Sequence, residues 1–231
     1  MTSGLATEQR SKAIQRLTAL WAFTESGLGG IMHALQIPFT GLLVGGMAVI
    51  MICLIAEFSE HAYRKILKSV VVVLIVKAMA SPFTPVTAYI AVSFQALLGF
   101  AVFSLLRVNY ISIILLSVIA MLESAIQKLL VLTLFFGQSL WKAMDNMIAF
   151  AGKQLGYVVS NGSFWIMALY LFIYMVGGFF IAWLAWHTIK NFDKPNPDFI
   201  LKDFQAIDNS LINSSSNVKK RSFKKIWLLL L

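Results

Sequence analysis

The sequence predicts an all-α protein, a polytopic bundle of six transmembrane helices, and three observations predict it. Of the 231 residues 59% are hydrophobic and only 13% charged. The mean hydropathy is +0.80. The apolar residues gather into six runs that approach or exceed the roughly 20 residues needed to cross a bilayer. A soluble domain carries about a quarter charged residues to cover its surface, so this composition excludes an ordinary soluble enzyme, a disordered chain and a disulfide scaffold. The single cysteine, Cys53, lies in an apolar run, which excludes an internal disulfide and a cysteine-built metal site.

The first run, about Leu17–Leu35, follows a polar stretch with Arg10, Lys12 and Arg16, and it is too long for the apolar core of a cleavable signal. Glu25 interrupts it. A hairpin of a few residues closed by Pro38 leads into the second run, Pro38–Ala56, which is uncharged. The charged stretch Glu57–Ile66 precedes the short, β-branched third run, Ile66–Ala80, with Lys77 near its end. Pro82 and Pro85 then impose an extended connection. The fourth run, Thr87–Leu106, is uncharged; the fifth, Ile111–Phe136, carries Glu123, Gln127 and Lys128. Residues 137–162 place Leu140, Trp141, Met144, Met147, Ile148, Ala151 and Leu155 at helical spacing with polar residues between, so an interfacial amphipathic helix is expected there. The sixth run is Ser163–His187. Residues 1–190 therefore form the membrane domain, and 191–231 a flexible polar and basic tail.

The net charge of +9 orients the chain. With both termini cytoplasmic, 15 of the 19 cations fall on the inner side, Lys142 and Lys153 on the outer side, and Lys77 and Lys128 within spans. Eight of those 15 belong to the last stretch, from Lys190 to Lys225. This basic tail, ending in Trp227 and Leu228–Leu231, is read as lying on anionic lipid and not as a nucleic-acid site.

Four formal charges sit at membrane depth: Glu25, Lys77, Glu123 and Lys128. Each costs about 2.5–3.5 kcal/mol at a helix centre, so such side chains turn inward and pair, or serve a ligand or ion. The pairing of Glu123 with a lysine, a lysine holding an anionic ligand group, and a snorkelling Lys77 are the competing readings. Other polar groups are expected to converge near the outer surface. His33, Gln36 and Thr40 come from the first hairpin, Tyr89 and Gln95 from the fourth span, Gln127 and Lys128 from the fifth, and Asn161 and Trp165 from the start of the sixth. With Lys77 they form the candidate ligand site, against ordinary interfacial composition as the alternative. Small residues recur at every fourth position of the first span, Ala22, Ser26, Gly30 and Ala34, and the second span contains Gly41-Leu-Leu-Val-Gly45. Such stripes serve either internal packing or docking of a second membrane subunit.

No catalytic signature is present: no HExxH, no GxSxG, no phosphate-binding loop. His33, His61 and His187 are too scattered for a shared metal site. The expectation is a protein that is no enzyme and carries no cofactor and no metal. Asn161-Gly-Ser is a glycosylation acceptor only in a glycosylating host.

The six spans, the small-residue ladder of the first and the segments QIPFTGLLVGGMAVI and SPFTPVTAYIAVSFQALLGF resemble the substrate-capture subunits (S components) of energy-coupling-factor vitamin transporters. The ladder is similar to that family's alanine-based docking motif. The resemblance implies a chain of the bacterial cytoplasmic membrane that binds a vitamin-like metabolite from outside through its first, third and fifth connections. It also implies a transmembrane coupling subunit and cytoplasmic ATPases as partners. Lys77 and Lys128 would suit a carboxylate or phosphate on the ligand. Two other classes stay open: a structural or assembly subunit of a membrane complex, and a small ion-coupled transporter using Glu25 and Glu123 as proton sites.

Overall fold

Polar residues and glycines decide where the first rod of this protein departs from a regular helix. In the computed structural model, which describes residues 2–35, 39–81, 84–154, 156 and 161–192, helix α1 (Thr2–Phe23) runs without a break into a π-helical turn at Thr24–Leu28 and then α2 (Gly29–Ala34). The Thr24 hydroxyl donates to the Leu20 carbonyl at 2.9 Å, and the Ser26 hydroxyl donates to that of Ala22. Hydroxyls that bond back in this way loosen the helical ladder. Gly27, Gly29 and Gly30 beside them are weak helix formers. The ladder widens, and the Gly29 N–H donates to Thr24 O, five residues back. Three consecutive side chains, Thr24, Glu25 and Ser26, are consequently all buried. A regular helix would spread them over some 200° of its circumference.

The remaining helices are α3 (Thr40–Phe58), α4 (Arg64–Ala80), α5 (Val86–Leu106), α6 (Tyr110–Gln154) and α7 (Gly162–Phe192), with no strand among the described residues. Four of these, α3, α5, α6 and α7, are long and apolar enough to cross a membrane. The α1–α2 rod and α4 fall short of that standard, although each contains an expected span. Polar residues fill the first half of the rod, and α4 has 17 residues that include Arg64, Lys65, Lys68 and Lys77. The tail from 193 onward, the first hairpin at 36–38 and most of 155–160 lie outside the described residues.

Helix α3 is the hub, with 67% of its apolar window buried against 17% for α7. Its side chains Val49, Ile52, Cys53 and Ile55 meet Ile66 and Val73 of α4, Phe103 of α5 and Ile113, Leu116 and Met121 of α6 in one apolar core. Glycines make the approach close. A methyl group on Gly46 would lie 2.5 Å from Ile181 of α7, and one on Gly99 of α5 would lie 2.5 Å from Ile52. Large apolar side chains face outward instead, among them Phe172, Phe180 and Trp183 on α7. Inward small residues and outward large apolar ones are the arrangement expected when lipid is the solvent.

The connections show why each helix stops where it does. After α3, Glu60 and His61 take left-handed backbone conformations, φ 47° and 70°, and Glu60 pairs with Arg10 of α1. The hydroxyl of Thr18 donates to Ser69 Oγ at 2.7 Å, tying α1 to α4. Asn109 and Ser112 cap α6 reciprocally: the Asn109 N–H donates to Ser112 Oγ and the Ser112 N–H to Asn109 Oδ1, both at 2.9 Å. Helix α6 is broken at Gly137 (φ 62°, ψ −157°), where the expected span ends and the expected interfacial helix begins. The Trp141 indole N–H donates to Thr133 Oγ1 at 3.2 Å across that break.

In the segment after the break, the Asp145 carboxylate accepts the backbone N–H of Ser163 at 2.7 Å and so caps the start of α7. That hydrogen bond holds the Asp145 carboxyl below the usual aspartate range. A depressed pKa stabilises the folded form above the ordinary aspartate value, and the stabilisation is lost as pH falls through the folded value. Acidification below about pH 4 is therefore expected to fray the first turn of α7. Hydrogen exchange at the Ser163 amide should accelerate there in the wild type, and Asp145→Ala should exchange fast at every pH.

Candidate functional site

The end of the bundle where α2 and α4 finish and α3 and α5 begin, called here the distal end, collects the polar side chains. Its centre is a buried ion pair. Lys77 Nζ of α4 donates to Glu25 Oε2 of the π-helical turn at 2.6 Å, and the two side chains are 4% and 3% exposed. Lys77 Nζ also stands 6.0 Å from the ring centroid of Tyr89 on α5, within cation–π range. One residue past α4, the Ser81 hydroxyl donates to the Ser26 carbonyl at 3.0 Å. Gly30 makes room for it, since a methyl group there would lie 3.2 Å from Ser81 Oγ. The fully buried Trp21 sits one turn before Glu25, and its indole N–H has no hydrogen-bond partner.

The pair forms because the rod and α4 are of different reach. Nine residues separate Glu25 from the end of α2 at Ala34, and only three separate Lys77 from the end of α4 at Ala80. The rod overshoots α4, which brings the two charges level. Burying either charge alone would be costly, and their mutual attraction in an apolar surround offsets that only because the geometry is short and direct.

A second polar group lies among α3, α5, α6 and α7. Gln95, 2% exposed, holds Nε2 where a methyl group on Gly45 would meet it at 2.9 Å, and its Oε1 has no partner. Ser117 Oγ is likewise buried without a partner. Gly41 lies beneath the Tyr174 hydroxyl and Ser124, and Tyr170 donates to Tyr174 at 3.2 Å. Phe39, left-handed at φ 62°, stacks on Tyr170 at 6.0 Å between centroids and so links the start of α3 to α7. Thr40 is buried beside it. On α6, Gln127 Nε2 donates to the Thr87 carbonyl of α5 at 3.0 Å. Next to it a shallow groove of about 430 Å³ is lined by Ile119, Leu122, Glu123, Ile126, Gln127 and Leu130.

The expected site residues thus divide. Lys77, Tyr89, Gln95, Thr40 and Gln127 occupy the distal half in the contacts just given. Lys128 is exposed, and Asn161 and Trp165 are exposed at the start of α7. Gln36 and the side chain of His33 lie outside the described residues. Lys77 pairs with Glu25; the pairing of Glu123 with a lysine, one of the competing readings, is not seen among the described residues, and Glu123 Oε2 is buried without a hydrogen bond. Of the ladder, Ala22 and Ser26 are buried within the chain and Gly30 faces Ser81; the side chain of Ala34 lies outside the described residues. No three His, Cys, Asp or Glu side chains gather into a metal-binding group among the described residues. Sequence reasoning missed the π-helical turn that positions Glu25. Its signal was present in Thr24 and Ser26 followed by three glycines.

Four helices able to cross a bilayer, outward apolar side chains and a polar centre buried between helices define a helical membrane protein. No protein-family model matches the chain, and no curated protein or solved structure shows significant similarity to it.

Proposed function

We propose that the chain is the membrane-embedded, substrate-binding subunit of a multi-subunit transporter. In this reading it takes a small vitamin-like metabolite at the distal end and works with a transmembrane coupling subunit and cytoplasmic ATPases. The rod and α4 cross the bilayer with the four longer helices, giving six spans with both termini in the cytoplasm of a bacterial cell. The distribution of cations supports that orientation.

The observation that carries the binding role is the Glu25–Lys77 pair beside Tyr89. It presents a cation, an anion and an aromatic face within one buried spot, next to the connection that follows α4. A metabolite with a carboxylate or phosphate would take Lys77 and offer its own donor to Glu25, exchanging one ion pair for two charge-assisted contacts. Charge-assisted hydrogen bonds of this kind supply the orientation and specificity of a small-molecule site.

Thermal unfolding of the detergent-purified protein against a panel of anionic and zwitterionic vitamins tests this. A ligand at a hundred times its Kd adds about 2.7 kcal/mol, roughly 5–10 °C for a chain of this size. At least one compound is expected to produce such a shift, and the double variant Glu25→Gln/Lys77→Met should abolish it. A panel without any shift would overturn the binding role.

A further inference from the structure

We infer that the face of α6 carrying Glu123 is the docking surface for a transmembrane helix of another membrane protein, one that places a Lys or Arg opposite Glu123 inside the bilayer. Ile119, Leu122, Glu123, Ile126, Gln127 and Leu130 follow the three-and-four spacing of one helical stripe and line the open groove. At 100° per residue the stripe points away from Met121 and Ala125, which α6 buries in the core. The groove is therefore on the outside of the bundle, where Ile126 and Leu130 are 47% and 63% exposed.

Glu123 sits at the middle of the span, thirteen residues after Tyr110 and fourteen before Gly137. One carboxylate oxygen is buried among apolar side chains with no hydrogen-bond partner. The half-buried side chain lines the groove, and a carboxylate at that depth costs about 2.5–3.5 kcal/mol on insertion scales. Among the described residues no cation relieves it. Lys77 is engaged by Glu25, and Lys128, five residues on, projects about 140° around the helix from Glu123.

Charge complementarity selects the occupant. Copies of this chain in one membrane share an orientation, so a symmetric contact through this face would set Glu123 against Glu123 at the same depth. Two like charges there repel. A helix bearing a basic side chain supplies the missing charge, and its apolar neighbours fill the groove between Ile119 and Leu130. That this helix belongs to the coupling subunit rests on the function proposed above; the surface itself rests on the geometry of α6.

A photo-crosslinking amino acid placed at Ile126 or Leu130 in the native membrane, with Phe172 of α7 as the control position, tests the docking surface. The expected product joins the groove positions, and not Phe172, to a peptide of a different protein that holds Lys or Arg within an apolar span. Glu123→Gln, close in shape, should lower its yield about tenfold. Glu123→Lys should abolish it, and a Glu in place of the partner's basic residue should restore it. An adduct with a second copy of this chain, adducts with lipid alone, or a yield indifferent to Glu123→Gln would overturn the proposal. Ligand-induced thermal shifts run in parallel separate the two readings. A basic-helix adduct without any ligand shift keeps the docking surface and removes the substrate-binding role.

Discussion

Lys77→Met is expected to destabilise the protein by about 3–5 kcal/mol, the usual cost of removing one member of a buried ion pair. The substitution leaves the Glu25 carboxylate 3% exposed with its 2.6 Å partner gone. The π-helical turn gives that carboxylate no easy way out, because Thr24 and Ser26 on either side are buried as well. Glu25→Leu should cost a similar amount by stranding the ammonium, with some relief from the Tyr89 ring. The double variant Glu25→Leu/Lys77→Met should recover most of the loss, since apolar residues of similar volume replace a buried pair at little cost. Thermal unfolding of the four proteins in mild detergent closes the cycle. Single variants as stable as the wild type would show that the two side chains are not held together in the bilayer.

Gly178→Ala should cost about 1–3 kcal/mol by overpacking, through contact with backbone and not with a movable side chain. A methyl group on Gly178 would stand 2.9 Å from the Cα of Val118 and 3.3 Å from the Ser117 carbonyl, so α7 and α6 would have to separate. Gly41→Ala is the control. There the nearest atoms are the Tyr174 hydroxyl at 3.4 Å and Ser124 Cβ at 3.5 Å, ordinary contact distances. Melting temperatures of the two variants should differ clearly, with Gly41→Ala near the wild type. Equal losses would mean that α7 does not pack on α6 through this glycine.

These two predictions rest on features of unequal visibility in the sequence. The helices α3, α5, the first part of α6 and α7 coincide with uncharged or nearly uncharged runs, because burial in lipid demands continuous apolar sequence. The break at Gly137 was legible as the point where apolar continuity gives way to an amphipathic pattern. The rod and α4 were less so, since polar and basic residues dilute their apolar content. The start of α1 at Thr2 and the π-helical turn do not show as hydropathy at all. The turn depends on hydroxyls bonding back along the helix.

The site divides in the same manner. That Glu25, Lys77, Glu123 and Lys128 are the informative charges follows from their position in apolar runs alone, by the cost of placing charge in lipid. Which acid meets which base does not, because it depends on how far each helix reaches and how it is rotated. Counted to the ends of their helices, Glu25 and Lys77 stand nine and three residues in. The overshoot of the rod past α4 sets them 2.6 Å from each other. Sequence by itself determined a helical membrane protein, its apolar segments and the residues too polar to face lipid. Only the tertiary structure decided that Glu25 takes Lys77 and that Glu123, beside an open groove, keeps a buried oxygen without a hydrogen-bond partner. Hydropathy is a property of segments, whereas pairing is a property of distances between them.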